Sequence, residues 1–190
     1  MNDSKFNVLL YFEDSQQAFY AAVHTATLLR NMPNMHLTVV QAREGCEDSQ
    51  ITEYSWIDTK DLVNWAMARS NVKGTEYHWP IRSTSDWMKR VFDGSNSSVQ
   101  DKYNMILSKA NEVFLERAED VSHVVIYCNT GISDTIEALY DYAAKNSYNL
   151  IIMGTRGFST LKVLLFGCLV NNSPIPMMLV KKLPQGFIKY

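Results

Sequence analysis

The sequence has few cysteines, few histidines and only short hydrophobic runs. Its three cysteines (Cys46, Cys128 and Cys168) lie far apart and are odd in number, which excludes the disulfide framework of a small secreted domain. The four histidines are scattered, and no His or Cys pair has metal-ligand spacing, so we expect no metal site. The longest apolar stretch, residues 163–170, is far shorter than a bilayer span. The N-terminal residues do not fit a secretory signal. These absences predict a soluble cytoplasmic protein with no membrane contact.

The chain also lacks an excess of charge of either sign. It has 18 Lys and Arg against 20 Asp and Glu, a formal net charge of −2. A dedicated nucleic-acid binder would carry a strong positive excess, so we expect no nucleic-acid partner. The 190 residues, of which 46% are hydrophobic, suffice for one core-bearing domain but not comfortably for two. We therefore expect a single domain over residues 1–190.

Predicted strands and amphipathic helices alternate along most of the chain. Helical spacing of apolar residues predicts helices after the first, third and fourth strands, and Asp14 and Ser15 are the predicted caps of the first of these helices. The same spacing predicts a long amphipathic helix just before the third strand. Nearly continuous apolar runs, typical of strands buried on both faces, predict five strands at residues 6–12, 36–42, 123–128, 149–153 and 177–181. This alternation indicates an α/β fold with a doubly wound parallel sheet and helices on both of its faces.

An insertion of about residues 43–102 interrupts this alternation after the second strand. Within it we predict two short helices at 58–69 and 85–92 and a loop at 94–98. The insertion contains all four tryptophans of the chain: Trp56, Trp65, Trp79 and Trp87. Because an exposed tryptophan is costly, we expect the insertion to fold onto the domain or onto a partner. Additional core is the simplest role, and a lid and a dimer contact are the alternatives.

A glycine-rich stretch follows the fourth predicted strand. It reads NLIIMGTRGFSTLKVLLFGC over residues 149–168, with two residues between Gly154 and Gly157 and nine between Gly157 and Gly167. Glycines at the carboxyl end of a buried strand permit positive φ and let a ligand approach backbone N–H groups. Parallel sheets bind ligands at that edge, where helix N-termini favour phosphate. The pattern indicates anion binding by main-chain amides and not covalent catalysis.

The spacing G-x2-G-x9-G resembles the nucleotide loop of the universal stress protein family, within the adenine nucleotide α-hydrolase-like superfamily. The similarity extends to both sides of the loop. Residues 150–157 and 173–181 resemble the family's fourth and fifth strands, and residues 8–15 and 37–42 its first and second. The resemblance covers the chain apart from the insertion.

The resemblance implies a five-stranded parallel sheet of order 3-2-1-4-5. It also implies a site for ATP or another adenine nucleotide, with or without Mg²⁺ held by the phosphates. Glu13 stands where the family usually has Asp, and Cys168 where a Ser or Thr hydroxyl meets the phosphates. Because a thiol is a poor donor, this replacement is expected to cost about 1 kcal/mol of phosphate binding. The residues that the resemblance assigns to the nucleotide are Glu13, Ala42, Gly154, Arg156, Gly157, Gly167, Cys168 and Leu169.

On function, the resemblance implies a regulatory protein of the stress response that acts through conformation and an unidentified protein partner. It further implies a homodimer that pairs the final strands, at about Met177–Lys181. Two alternatives remain open: a nucleotide-free interaction module of the same fold, and a slow ATP hydrolase. For the hydrolase, the sequence offers no convincing general base beside the glycine loop.

Overall fold

Six strands, four α-helices and one 3₁₀-helix make up the regular structure of the described residues. The computed structural model describes residues 5–13, 15–44, 51–55, 86–93, 95, 97–128, 132–155 and 173–183. The strands are β1 (Phe6–Tyr11), β2 (Met35–Glu44), β3 (Ile51–Ser55), β4 (Val121–Cys128), β5 (Leu150–Gly154) and β6 (Met177–Val180). The helices are α1 (Gln16–Asn31), α2 (Asp86–Asp93), α3 (Ser97–Glu116) and α4 (Ile132–Lys145), and the 3₁₀-helix covers Ala118–Asp120.

The strands form one sheet of order β3-β4-β2-β1-β5-β6. Its five parallel strands lie in the order 3-2-1-4-5 when numbered among themselves, as expected. The sequence did not predict β3, which lies inside the insertion and pairs antiparallel with the outer edge of β4. Ile51, Thr52 and Tyr54 are residue types that favour strands, but five residues within an irregular segment give a weak signal.

Both faces of the sheet are buried, as the apolar run of β1 predicts. Val8 and Leu10 join one core cluster with residues of α1, α2 and α3, whereas Leu9 and Tyr11 join a second cluster with residues of α4. Successive side chains of a strand point to opposite faces, so β1, which is covered on both sides, has only hydrophobic residues from Val8 to Tyr11. In the described parts of the chain, no helix is both long and apolar enough to cross a membrane.

Helix α2 of the insertion packs on α1. Helix α2 agrees with the helix predicted at 85–92, and Trp87 is buried with its ring centroid 5.1 Å from that of Phe19. The loop predicted at 94–98 is wrong at its end, because α3 already begins at Ser97. The helix predicted at 58–69 and the other three tryptophans lie outside the described residues.

Arg117 ties the end of α3 to the turn between α1 and β2. Its guanidinium donates to the carbonyl oxygens of Leu29 at 2.6 Å and Pro33 at 2.9 Å, and its Nε donates to Asp120 Oδ2 at 2.7 Å. The carbonyls near the end of a helix lack partners within the helix, so Arg117 satisfies groups that would otherwise need water. This contact lies at the amino edge of the sheet, where β2 and β4 begin.

Candidate functional site

The chain reverses its winding direction between β1 and β5. From β1, the chain passes through α1 to β2 over one face of the sheet. From β4, it passes through α4 to β5 over the other face. β1 pairs with β2 on one side and with β5 on the other, with Tyr11 opposite both Val40 and Met153. In open parallel sheets a crevice forms at this point, outside the carboxyl ends of the strands, and ligands bind there.

Glu13 and Ala42, two of the predicted site residues, lie at this edge. The amide of Phe12 donates to the carbonyl oxygen of Val40 at 2.9 Å, so β1 follows β2 until one residue before Glu13. Ala42 is half-buried near the end of β2, beside the α4-side cluster, and is opposite Ile126 of β4. The carboxylate and the small side chain therefore occupy neighbouring strand ends.

Gly154, a third predicted site residue, ends β5 against the backbone of α1. A Cβ atom at this position would lie 2.4 Å from the carbonyl carbon of Gln17, 2.5 Å from the amide nitrogen of Ala18 and 2.6 Å from the carbonyl oxygen of Gln17. Real Cβ atoms do not approach so closely. The backbone of Gly154 is not in the left-handed region, so close approach of a helix, and not positive φ, explains the glycine.

The first turn of α1 is capped by Ser15, as predicted. Ser15 Oγ accepts from the amide of Ala18 at 3.1 Å, and the Ser15 amide donates to the carbonyl oxygen of Glu13 at 2.9 Å. Asp14, the other predicted cap, lies outside the described residues. The first turn contains no acidic residue, so no carboxylate of its own neutralises the positive end of the helix dipole. The candidate site therefore lies beside a helix start suited to a negatively charged group.

A cluster of three polar side chains, Gln16, Tyr20 and Tyr103, joins this first turn to α3. Gln16 Nε2 donates to Tyr103 Oη at 2.9 Å, and the hydroxyls of Tyr20 and Tyr103 are 3.1 Å apart. Burial, together with the hydrogen bond to Tyr103, raises the pKa of the Tyr20 hydroxyl far above its ordinary value. Sequence reasoning missed this polar cluster, because Tyr103 is far along the chain from Gln16 and no short motif links them.

The remaining predicted site residues (Arg156, Gly157, Gly167, Cys168 and Leu169) lie outside the described residues. Of the eight predicted residues, the structure describes Glu13, Ala42 and Gly154 and brings these three to one edge of the sheet. Within the described ranges, no group of three His, Cys, Asp or Glu residues lies close enough together to hold a metal ion.

The family comparison agrees with this topology. The model of the universal stress protein family matches residues 6–181, almost the whole chain. The chain belongs to the universal stress protein family. The match includes the insertion, with β3 and α2, inside the matched range. A comparison with curated proteins gives no match.

Solved structures similar to this universal stress protein are distant in sequence. One is a universal stress protein family member from Burkholderia pseudomallei, with 13% identity, a TM-score of 0.47, and coverage of 96% of this chain and 99% of that one. Another is a universal stress protein in complex with cAMP, with 14% identity, a TM-score of 0.45, and coverage of 93% and 97%. A third, from Arabidopsis thaliana with AMP bound, has 11% identity, a TM-score of 0.44, and coverage of 96% and 97%.

Proposed function

We propose that this universal stress protein binds an adenine nucleotide at the carboxyl edge of its sheet, over β1 and β5. ATP is the first candidate, with or without Mg²⁺ held by its phosphates. The observation that carries the proposal is the position of Glu13 and Gly154, which flank the point where the winding direction reverses. This is the edge at which open parallel sheets accept ligands.

Each part of the nucleotide has a suitable group in the proposed site. The Glu13 carboxylate is an acceptor for ribose hydroxyls or for the adenine amino group. Ala42, with only a methyl side chain, leaves room for the base beside β2. The phosphates would extend towards the start of α1, whose first turn has no acidic residue, and towards the glycine-rich sequence after β5, where we assign them to Arg156, Gly157, Gly167, Cys168 and Leu169.

Nucleotide occupancy is tested on protein purified from cells. We expect denaturation to release an adenine nucleotide detectable by absorbance and chromatography, and ATP with Mg²⁺ to raise the melting temperature of the stripped protein. No released nucleotide together with no thermal shift at millimolar ATP would contradict the proposal. That result would leave the nucleotide-free interaction module as the function.

Glu13→Gln tests the proposed acceptor without changing side-chain size. Loss of a charge-assisted hydrogen bond is expected to weaken ATP binding about ten- to a hundredfold. The matched control is Glu119→Gln, because Glu119 is exposed in the 3₁₀-helix at the opposite, amino edge of the sheet. Equal affinities for the two variants would remove Glu13 from the site.

We further propose that the protein is a cytoplasmic regulator that dimerises through β6. β6 lies at the end of the sheet formed by the described residues. The carbonyl oxygens of Pro176 and Val180 accept hydrogen bonds from the β5 side, so the alternate residues Met177 and Leu179 direct their main-chain groups outward. These outward groups are available to a second copy of the strand.

Leu179→Pro tests this interface, because it removes one outward-facing donor of β6 while proline is tolerated at such an edge position. We expect light scattering to give a dimer mass for the wild type and a monomer mass for the variant. Circular dichroism checks that the variant is folded. A folded variant that is still dimeric would exclude pairing through β6.

A further inference from the structure

We propose that Tyr103, a residue of α3, is a positioning residue that holds the first turn of α1 in place and thereby tunes nucleotide affinity. The link to affinity rests on the proposed function, whereas the link to α1 does not. The inference comes from the polar cluster of Gln16, Tyr20 and Tyr103, which joins two helices that the chain contributes from distant segments.

The ring of Tyr103 is fixed by aromatic neighbours on both sides of the contact. Its centroid lies 5.9 Å from that of Phe19 on α1, 5.9 Å from that of Trp87 and 6.3 Å from that of Phe92, both on α2. Phe19 and Trp87 belong to the buried core on this face of the sheet. A rigid ring therefore presents the Tyr103 hydroxyl to α1, and its position is set by α2 and α3 together.

The hydroxyl acts on the part of α1 that forms the proposed site. Gln16, which donates to it, directly follows the cap Ser15 and directly precedes Gln17. Ser15 is hydrogen-bonded to Glu13, and the backbone of Gln17 fills the space over Gly154. A shift of this single turn would therefore disturb the surroundings of both Glu13 and Gly154, the two residues that flank the proposed site. Terminal turns of helices open easily, so an additional anchor at Gln16 has a large local effect.

The test is Tyr103→Phe, which removes the hydroxyl and keeps the ring. The matched control is Tyr148→Phe, because the hydroxyl of the half-buried Tyr148 likewise bonds to another side chain, donating to Thr38 Oγ1 at 2.7 Å. Tyr148 precedes β5 at the amino edge, away from the first turn of α1. Both variants lose one hydroxyl from a partly buried network, so similar changes in global stability are expected.

Two readouts separate positioning from a general loss of stability. We expect amide hydrogen exchange at Ala18 and Phe19, measured by NMR, to be about three- to tenfold faster in Tyr103→Phe and unchanged in Tyr148→Phe. We expect the dissociation constant for ATP to rise by a similar factor in Tyr103→Phe alone. Gln16→Leu should reproduce both effects, and the double variant Gln16→Leu with Tyr103→Phe should add little to either single change.

The possible outcomes test the positioning role and the link to nucleotide affinity separately. Exchange at Ala18 and Phe19 that is equal in the two Tyr→Phe variants overturns the positioning role. Faster exchange with unchanged ATP affinity overturns the link to the site. If wild-type protein binds no nucleotide, the proposed function fails together with that link, and the exchange rates alone decide whether Tyr103 holds the turn.

Discussion

Replacing Gly154 by alanine is the sharpest perturbation that the structure offers at the candidate site. The new methyl group would lie 2.4–2.6 Å from three backbone atoms of Gln17 and Ala18, where ordinary contact is 3.4–4 Å. Relief requires the start of α1 and the end of β5 to separate by about 1 Å, since neither set of atoms belongs to a flexible side chain. The substitution therefore tests the helix–strand contact directly.

The expected cost follows from two opposing contributions. Forcing an extra carbon into a well-packed site costs about 1–3 kcal/mol, and backbone neighbours favour the upper end. Alanine also restricts the unfolded chain, which offsets about 0.4–1 kcal/mol. The backbone of Gly154 is not left-handed, so no conformational penalty is added. We expect Gly154→Ala to lower the free energy of unfolding by about 2 kcal/mol.

Urea denaturation followed by circular dichroism measures this loss. With an m-value of about 2 kcal/mol/M, the midpoint should fall by about 1 M. Adding Gln17→Ala should not restore stability, because the atoms that the methyl group meets belong to the backbone. A loss below about 0.5 kcal/mol, or rescue by Gln17→Ala, would refute the contact as the reason for the glycine.

Three further predictions concern other parts of the protein. Arg117→Met should lower the free energy of unfolding by about 2–3 kcal/mol in urea titrations, because two main-chain carbonyls at the turn between α1 and β2 lose a charged donor; an unchanged midpoint would contradict this. Ser147 has a φ of 54°, in the left-handed region that glycine adopts at lower cost than serine, so Ser147→Gly should raise the free energy of unfolding by about 0.5–1 kcal/mol. A lowered urea midpoint would show instead that the Ser147 side chain stabilises the turn. The raised pKa of Tyr20 means that its contribution to stability is complete below its unfolded-state pKa of 10.0 and is lost as the pH rises above it. The urea midpoint should therefore fall less steeply between pH 9 and 11 in Tyr20→Phe than in the wild type, and equal slopes would exclude this effect.

The parallel strands were predictable because a buried strand appears in the sequence as a short run of apolar residues. β1 and β5 are covered on both faces, so each appears as an uninterrupted apolar run, and the predicted bounds differ from the observed ones by one residue. The order of the strands came from the family resemblance and not from the apolar pattern. Ser15 was predictable as a cap because a side-chain oxygen before an amphipathic run satisfies amides within one turn.

The missed features depend on residues that are distant in sequence. β3 forms a strand because it pairs with the edge of β4, and its own five residues give too weak a signal to predict a strand. Nothing in the sequence around Tyr103 distinguishes it from any other helical tyrosine, because its partners Gln16 and Tyr20 lie on another helix. Gly154 was predicted at the site from its spacing, but the close approach of α1 is visible only in three dimensions.

The pairing of β2 with β4 also bears on how fast the chain folds. Thr38 and Ser122 contact each other across these strands although 84 residues separate them. The sheet centre therefore closes a very long loop, and the entropy of that closure is lost before the strand contacts form. Helices α1 and α3 are local and fast to form, so their docking would bring β2 and β4 together. We therefore expect the segment between β2 and β4 that contributes α3 to speed folding, because docking of α3 on α1 would shorten the search for the central strand pair.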